Sequence, residues 1–365
     1  MIIKELFLEN FRNYQQEQIK LIDGINIFYG ENGQGKTNLL EGLYYLLTGK
    51  SYRVQREQEL IRWGEKGFRL KGDFVVRDRL IRLESRYADR RKILKINDLS
   101  CRKLSEYVGT VNVIYFSPDD LIMVKGGPGE RRRFLDFHIA QTKTGHISLL
   151  NSYNKVLEQK RALLKSNISI NTKKAQLTIW NEELVQFGIK IILNRSLLTQ
   201  ELQEASAHFY KHISEGREQM EIFYRPLGFN NHEEATSAFP QVLEENVEHE
   251  IERQTVLIGP HRDDLAILLN QKQARLFASQ GQQRSLVLSL KLGEMELIKT
   301  KKGEYPLLLL DDVLSELDRF RRKYLLEFIY SSSIQTMITM TGAEEMPTGS
   351  LSRYAVRQGH VRREN

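Results

Sequence analysis

Residues 30–38 read Gly30-Glu31-Asn32-Gly33-Gln34-Gly35-Lys36-Thr37-Asn38, which has the G-x-x-x-x-G-K-[ST] form of a phosphate-binding loop. The preceding residues 24–29 are typical of a buried strand, and residues 38–47 are typical of a helix. This strand–loop–helix order is the context that the motif needs. Glycines let the loop backbone approach phosphate, and the N–H groups at the helix start bind anions. The stretch therefore predicts a nucleoside triphosphate site, with Lys36 on the phosphates and Thr37 on Mg²⁺.

The composition of the chain limits its class. Its 365 residues suggest two or three structural units, and a hydrophobic content of 41% allows a sizeable core. The single Cys101 cannot form an internal disulfide, which fits a reducing, cytoplasmic environment. We expect no signal peptide, because charged residues appear within the first five positions. We expect no membrane span, because the apolar runs are too short to cross a bilayer. A formal net charge of +7 points weakly to a polyanionic partner.

The pattern of apolar residues predicts strands around the loop. Residues 2–11 and 16–21 are expected to pair as strands, and residues 68–97 to form a β meander with one wet face. Later strands are expected at residues 111–116, 220–226, 265–269, 306–310 and 335–342. Residues 230–237 are expected to form a polar loop, and residues 239–254 and 279–301 to form helices.

The chain from about residue 130 to 214 is expected to be mostly helical. A stripe with steps of three and four follows two successive helices and is made of Ile147, Leu150, Asn154, Leu157, Arg161 and Leu164, then Leu177, Trp180, Leu184, Phe187 and Ile191. Residues 166–172 are polar and would connect these helices. We infer a short antiparallel helical hairpin inserted between the two halves of the site.

Three consecutive arginines, Arg131, Arg132 and Arg133, occupy the first turn of the first of these helices. Cations at a helix N-terminus oppose the helix dipole, so stability does not favour them there. Both a solvated helix start and an anion contact, with DNA phosphate or nucleotide, are compatible with the sequence. His261 invites a catalytic interpretation, but a lone histidine in a loop beside Pro260 and Arg262 is more often structural.

The second half of the site is predicted from two later motifs. Ser279, Gly281, Gln282 and Gln283 open a helix in a pattern compatible with both a capping box and an anion site. Residues 306–312 have the Walker B pattern, a buried strand that ends in carboxylates. Asp311 would act on Mg²⁺, and Asp312 stands where a water-activating carboxylate is needed.

Together, the phosphate loop, the S-x-G-Q-Q motif, Walker B and residues 315–318 resemble an ABC-type ATPase head of the SMC kind. The resemblance implies an α/β fold: a P-loop ATPase head with a mixed β-sheet lobe and an inserted helical domain. The insertion between Lys36 and Gly281 is longer than in a transporter ATPase and shorter than in an SMC head. We divide the chain into residues 1–125 as the N-terminal part of the head, 126–218 as a helical arm, and 219–365 as the C-terminal part of the head.

The chain resembles the RecF family of bacterial recombination mediators. The resemblance lies in the intermediate length of the insertion and in residues 8–14, 117–136, 259–264 and 310–318. The resemblance implies a cytoplasmic DNA-repair protein that binds DNA at single-strand gaps with adjoining duplex. It implies ATP-dependent homodimerisation, slow DNA-stimulated ATP hydrolysis, and work with RecR and RecO to load RecA in recombinational repair, replication restart and SOS induction.

The resemblance also assigns roles to residues of this sequence. Lys36, Asp311, Asp312 and Ser279 would be catalytic, Ser279 acting on ATP bound to a second copy, and Thr37 and Asp311 would hold Mg²⁺. The residues expected around ATP are Arg12, Asn13, Gly30, Glu31, Asn32, Gly33, Gln34, Gly35, Lys36, Thr37, Asn38, Ser279, Gly281, Gln282, Gln283, Asp318 and Thr341. Candidates for DNA contact are Arg90, Arg91, Arg131, Arg132 and Arg133.

The sequence departs from the wider ATPase superfamily in three places. The switch histidine is absent, with Thr339-Met340-Thr341 in its region; Asp312 replaces the usual glutamate; and no clear Q-loop glutamine follows residues 111–116. The hydrolytic base and the γ-phosphate sensor therefore stay open. Two alternatives are a transporter or translation ATPase coupled to a protein partner, and a DNA binder that does not hydrolyse ATP. The insertion length and basicity oppose the first, and the intact Asp311, Asp312 and Ser279 oppose the second.

Overall fold

The computed structural model describes residues 1–342 and 351–364. Residues 343–350 and 365, which belong to the predicted range 219–365, lie outside the described residues. The chain divides into two compact units, one holding Met1–Asp120 and the chain from Lys291 onwards, the other holding Leu121–Leu290. Within the described residues, no helix combines the length and apolarity needed to cross a membrane.

An antiparallel sheet forms one layer of the first unit, and its strand order is β2-β1-β4-β5-β6-β7. Buried and partly exposed residues alternate along β4, which places Phe68, Leu70 and Phe74 in the core. The predicted meander at residues 68–97 is confirmed. The strands are β1 (Ile2–Phe11), β2 (Tyr14–Lys20), β4 (Gly67–Val76), β5 (Arg79–Ala88), β6 (Arg91–Ile96) and β7 (Leu99–Ser100).

The second sheet of this unit has the order β15-β14-β3-β13-β12-β8, and only the β14–β15 pair is antiparallel. β12 and β13 are buried along their whole length, as expected for parallel strands covered on both faces. The strands are β3 (Ile25–Tyr29), β8 (Val113–Phe116), β12 (Leu307–Asp311), β13 (Thr336–Met340), β14 (Leu351–Arg357) and β15 (His360–Glu364). The carboxyl ends of the parallel strands therefore share one edge.

Helix α1 (Lys36–Thr48) contacts strands of both sheets and forms the middle layer of the first unit. Its buried face carries leucines and Tyr45. Packing of this apolar face between the two sheets stabilises the helix that follows the phosphate loop. The other helices assigned wholly to this unit are α2 (Leu104–Tyr107), α11 (Val313–Glu316) and α12 (Arg319–Ser331). Helix α10 (Gln280–Lys302) begins in the second unit and ends in the first.

The second unit combines helices with a small antiparallel sheet of order β11-β10-β9. The strands are β9 (Met220–Arg225), β10 (Asp264–Leu269) and β11 (Lys272–Gln273). The helices are α3 (Ile122–Lys125), α4 (Pro128–Thr142), α5 (His146–Lys165), α6 (Ile170–Ile213), α7 (His232–Glu245), α8 (Val247–Arg253) and α9 (Ala274–Phe277). Residues 219–290 fall in this unit because β9 packs on α6 and pairs with β10. The division into three functional ranges stays a prediction.

Helices α5 and α6 form the predicted hairpin, and their buried residues include Leu157, Leu164, Leu177, Leu184 and Ile191. The predicted stripe is wrong at Asn154 and Arg161, which are exposed. Tyr153 and Lys160 are buried instead. Lys160 is accommodated because its ammonium lies 2.6 Å from a carboxylate oxygen of Glu250, which is also fully buried.

The expected polar loop at residues 230–237 is also wrong, because helix α7 begins at His232. Asn231 caps this helix by accepting a hydrogen bond from the Glu234 N–H at 2.8 Å. The Glu234 carboxylate in turn accepts from the Asn230 N–H at 2.8 Å. The polar residues of this segment therefore mark a helix start.

Candidate nucleotide-binding site

The phosphate loop joins β3 to α1, and two of its glycines could not be replaced. Gly30 has φ +152°, and a Cβ there would collide with the carbonyl oxygen of Val356. Gly35 has φ +118°, and a Cβ would meet the Asn13 amide at 2.5 Å. Both positions combine a backbone conformation that favours glycine with a close neighbour. The tip of the loop, made of Glu31, Asn32 and Gly33, is exposed.

Neighbouring turns hold the loop in place through Gln34. The Gln34 carbonyl accepts hydrogen bonds from the Asn13 amide and the Gly359 N–H, both at 3.0 Å. The Gln34 side chain accepts from the Gln358 N–H at 2.7 Å. The loop is thus fixed from the β1–β2 turn on one side and from the β14–β15 turn on the other. This preorganises its N–H groups for an anion.

Lys36 is buried and folds over the loop that precedes it. Its ammonium donates to the carbonyl oxygens of Gly30 at 2.6 Å and Glu31 at 2.8 Å. Burial lowers the pKa of Lys36 from its ordinary value, and the carboxylates of Asp312 and Asp311 oppose that shift. The cation therefore lies between the loop and the Walker B carboxylates, where the phosphates of a nucleotide need a counter-charge.

Asp311 ends β12 and faces the start of α1. Its carboxylate accepts hydrogen bonds from the hydroxyls of Thr37 at 3.0 Å, Thr339 at 2.8 Å and Tyr115 at 2.9 Å. Thr339 lies opposite Asp311 in the parallel register of β12 and β13. The adjacent oxygens of Thr37 and Asp311 suit Mg²⁺, which binds few protein ligands and completes its shell with phosphates and water.

Asp312 has a left-handed backbone, with φ 56° and ψ 23°, which is uncommon outside glycine. Its N–H donates to the Thr339 hydroxyl at 2.9 Å, which fixes the turn. Burial raises the pKa of Asp312, and so does the Asp311 carboxylate, whereas Lys36 lowers it. A carboxyl with a raised pKa close to a cation is a candidate general base.

Several residues that shape this site were not predicted from the sequence. Rings of Tyr52 and Tyr115 stack with centroids 3.9 Å apart, and Tyr44 packs edge-on against both. Tyr115 thereby holds its hydroxyl on Asp311. Tyr115 is the residue before the last in β8, the strand that pairs with the Walker B strand β12. Aromatic packing at that strand end could have been anticipated only with the strand order in hand.

Arg12, expected beside the nucleotide phosphates, makes a two-pronged ion pair with Glu41. Its Nε and Nη2 donate to the two Glu41 oxygens at 2.9 Å each. Arg53 adds a contact to the same carboxylate at 3.3 Å and one to Asn38 at 3.0 Å. Asn38 also donates to the Asn13 side chain at 2.8 Å. Glu41 is the missed centre of this network, and it is fully buried.

Ser279, Gly281, Gln282 and Gln283 lie at the start of α10, in the second unit. The Ser279 hydroxyl accepts from the Gln282 N–H at 3.3 Å, and the Gln282 side chain accepts from the Ser279 N–H at 2.7 Å. This reciprocal pair is a capping box. Gln282 also donates to Glu218 at 2.6 Å. Ser279 itself is exposed, so the capped helix start presents its hydroxyl to solvent.

Two further predicted site residues lie in the first unit. Asp318 caps α12 by accepting from the Arg321 N–H at 2.9 Å, and it also forms an ion pair with the Arg321 side chain. Thr341 follows the end of β13 and is exposed. Thr339, two residues earlier, is the threonine that contacts Asp311. Residues 339–341, where the switch histidine is absent, therefore supply the Thr339 hydroxyl to the Asp311 carboxylate.

The three arginines of α4 have different environments. Arg131 is buried, with a two-pronged pair to Asp264 at 2.7 and 2.9 Å, so it is structural and the expectation of a DNA contact is corrected. Arg132 is partly buried and donates to the Asp263 carbonyl at 2.6 Å. Arg133 is exposed beside Glu130. Arg90 and Arg91, at the β5–β6 turn, are also exposed.

His261 is partly buried within the second unit. Its Nδ1 is 2.7 Å from the Tyr153 hydroxyl. Burial lowers the pKa of His261 to about 3, with an opposing contribution from the Val256 carbonyl, so the ring is neutral at physiological pH. This supports the structural interpretation.

The phosphate loop, the Walker B strand end and the parallel sheet define a phosphate-loop ATPase head of the ABC and SMC type. A family model described as "RecF/RecN/SMC N terminal domain" matches residues 2–361. The chain is 58% identical to "DNA replication and repair protein RecF" of Desulfitobacterium hafniense over 364 residues, covering 100% of both chains. It is 44% identical to the protein of that name in Natranaerobius thermophilus, covering 94% of this chain and 92% of that one.

Solved structures agree with these relatives. One described as "Structure of the recombination mediator protein RecF-ATP in RecFOR pathway" is 31% identical, with a TM-score of 0.90 over 100% of this chain and 97% of that one. An SMC head of Pyrococcus furiosus bound to a ScpA domain has a TM-score of 0.59 at 17% identity, over 99% of this chain and 95% of that one, and shares the fold. The chain belongs to the RecF/RecN/SMC N terminal domain family and, within it, to the RecF proteins of DNA replication and repair.

Proposed function

We propose that this chain is an ATP-gated DNA clamp that acts as a recombination mediator. The observation that carries the proposal is the convergence of Lys36, Thr37, Asp311 and Asp312 at one sheet edge. Cation, metal-binding oxygens and a candidate base are the parts that phosphoryl transfer needs. The relative described as RecF-ATP, which covers the whole of this chain, supports ATP as the nucleotide.

Each residue has a role that follows from its position. The loop N–H groups and Lys36 bind the β- and γ-phosphates, and Asn13 and Asn38 steady the loop beside them. Thr37 and Asp311 would hold Mg²⁺, which neutralises phosphate charge when bound. Asp312 accepts a proton from the attacking water. Glu41 keeps Arg12 and Arg53 in place beside the start of α1.

The proposal includes a second copy of the chain. Ser279 is exposed at a capped helix start, where N–H groups and a hydroxyl favour an anion. In the ABC and SMC class that this sequence resembles, the signature serine contacts ATP held by the partner subunit. ATP then joins two heads, and hydrolysis releases them. The roles of Gly281, Gln282, Gln283, Asp318 and Thr341 at this composite site belong to the same proposal.

DNA is the proposed partner because the chain carries a net charge of +7 and belongs to a DNA-repair family. Binding through phosphates would be insensitive to sequence and weaken steeply with salt. By resemblance, the site of action is a single-strand gap with adjoining duplex in the cytoplasm, with slow, DNA-stimulated hydrolysis. RecR, RecO and RecA complete the pathway, in recombinational repair, replication restart and SOS induction.

The test is a molar-mass measurement by light scattering after size-exclusion chromatography. Samples contain ATP, ADP or no nucleotide, each with and without a gapped duplex. We expect the mass to double with ATP alone and a DNA complex to form with ATP. A chain that hydrolyses ATP yet stays monomeric and binds no DNA would contradict the clamp and favour an ATPase coupled to a protein partner.

A further inference from the structure

Trp63 is 97% exposed, although tryptophan is usually the most extensively buried side chain by area. It lies in a tight turn in which the Glu65 N–H donates to the Arg62 carbonyl at 3.0 Å. Gly64 supplies the positive φ of +87° that the third turn position needs. Trp63 therefore occupies the second turn position, and its indole is presented to solvent.

The turn is firmly fixed to the first unit. The Arg62 N–H donates to the Asn10 carbonyl at 2.9 Å, and the Arg12 N–H donates to the Leu60 carbonyl at 2.7 Å. The Arg12 guanidinium also donates to the Glu59 carbonyl at 2.8 Å. A side chain on a well-anchored turn loses little backbone entropy when it binds a partner. The same Arg12 is held by Glu41 of α1, so this turn is tied to the nucleotide site.

Strand pairing brings a second basic turn to the same end of the sheet. Gly67 lies opposite Ala88, so residues 63–66 enter β4 at the same end of the sheet as the turn at residues 89–90. Lys92, which follows this turn, donates to the Gly49 carbonyl at 3.0 Å and pairs with Glu57 at 2.8 Å. These two contacts bring the segment from Gly49 to Glu57 against the start of β6. We call residues 50–66 and 89–92 the Trp63 surface.

Cations outnumber carboxylates on the Trp63 surface. Its carboxylates are Glu57, Glu59, Glu65 and Asp89, and its cations are Lys50, Arg53, Arg56, Arg62, Lys66, Arg90, Arg91 and Lys92. Arg53 pairs with Glu41 and Lys92 with Glu57, which leaves six cations for phosphates. Basic residues around a free aromatic ring are the combination by which proteins hold single-stranded nucleic acid, because the cations follow the backbone and the ring stacks on a base. An apolar protein groove would complement the indole but not this excess of cations.

We propose that Trp63 stacks on an unpaired base of DNA while the cations of the Trp63 surface hold the adjoining phosphates. The inference rests on the proposed function and deepens it, because it names an unpaired base as the group recognised. Within a duplex the bases are already stacked on one another, so a single-stranded segment offers the indole base faces that the interior of a duplex does not.

The chain has two tryptophans, which permits a direct optical test. Trp180 packs against the core of the second unit, and a Trp180→Phe variant leaves Trp63 as the sole tryptophan. In that full-length variant with ATP, we expect an oligo-dT and a gapped duplex to quench the emission of Trp63 saturably. A blunt duplex of equal length should bind without quenching. Comparing wild type with Trp63→Phe gives a second measurement that does not depend on the Trp180 substitution.

Affinity measurements with fluorescein-labelled DNA complete the test. Trp63→Ala and Trp63→Leu should weaken oligo-dT binding roughly 5- to 150-fold, the range of losing one stacked base, whereas Trp63→Phe should keep most of it. Blunt-duplex affinity should be unchanged. Leu80→Ala is the matched control, because Leu80 is exposed at the opposite end of the same sheet.

The possible failures separate the inference from the proposed function. Normal binding of gapped DNA without quenching of Trp63 overturns the inference alone. A change of Trp63 emission with ATP and no DNA that is absent from the Ser279→Arg variant, which should bind ATP without dimerising, would place the ring against a second copy. A change only when a protein partner is added would place the ring against that partner. Either result overturns the inference. A wild-type chain that binds none of the three DNAs with ATP overturns both.

Discussion

The Thr37 hydroxyl lies 3.0 Å from a carboxylate oxygen of Asp311, although 274 positions separate the two residues in the chain. The parallel sheet creates this contact, because β3 and β12 both flank β13 and end at the same edge. The phosphate loop and Walker B thus become one site only in the folded unit.

Replacing Lys36 by alanine should weaken ATP binding roughly 10- to 150-fold, because a charge-assisted contact to phosphate contributes about 1.5–3 kcal/mol. Titration with a fluorescent ATP analogue measures this loss. Lys20→Ala is the control, since Lys20 is exposed at the end of β2. Equal affinities for the Lys36 and Lys20 variants would refute the assignment of the phosphate loop.

Replacing Asp312 by asparagine should lower ATP turnover by about 10²- to 10⁴-fold and leave ATP binding intact, because the amide cannot accept the proton of the attacking water. The ATP-dependent dimer should persist longer than that of the wild type. Single-turnover hydrolysis and light scattering measure the two effects. Turnover at the wild-type rate would assign the base to another group.

Replacing Ser279 by arginine should preserve ATP binding by the single chain and abolish the ATP-dependent dimer, because the longer cation replaces the exposed hydroxyl at the helix start. The lost cap should also cost about 1 kcal/mol of stability. Ser279→Thr keeps a capping hydroxyl and serves as the control. Dimerisation of the arginine variant with ATP, seen by light scattering, would disprove the signature assignment.

Arg131 and Arg133 should respond differently to alanine substitution. Arg131→Ala leaves Asp264 without its two-pronged partner and should destabilise the protein by about 2–3 kcal/mol in urea unfolding. Arg133→Ala should change stability by less than about 0.5 kcal/mol, because its side chain is exposed. Weaker DNA binding by the Arg133 variant would support its proposed role. Equal stabilities of the two variants would contradict the structural role of Arg131.

The free energy of unfolding should decrease as the pH is lowered, because His261 is partly buried in its neutral form. Burial lowers its pKa to about 3, whereas an unfolded histidine titrates near pH 6.5, so the unfolded chain binds the extra proton between these values. The expected loss from this group is about 2 kcal/mol between pH 7 and pH 5. Urea unfolding at both pH values measures it. His261→Gln should remove this part of the pH dependence, whereas His249→Gln, at an exposed position, should not.

Much of the candidate site was predictable from local sequence. The phosphate loop and the apolar strand before Asp311 have local patterns because each needs particular residues at fixed spacing. The β meander was predictable for a similar reason, since one wet face imposes alternation. Glu41, Tyr115 and Thr339 have no such pattern, because their contacts depend on which strands and helices become neighbours.

The sequence by itself determined the class of this protein, its phosphate loop, its Walker B strand and the capping-box pattern at the start of α10. These motifs are local because close approach to phosphate and helix capping act over a few residues. Only the tertiary structure decided that Arg131 is buried on Asp264, that Thr339 holds Asp311, and that Trp63 is exposed at the end of the sheet that also carries the turn at residues 89–90. Burial and strand neighbours are set by packing of distant segments, and the local alternation of residue types does not encode them.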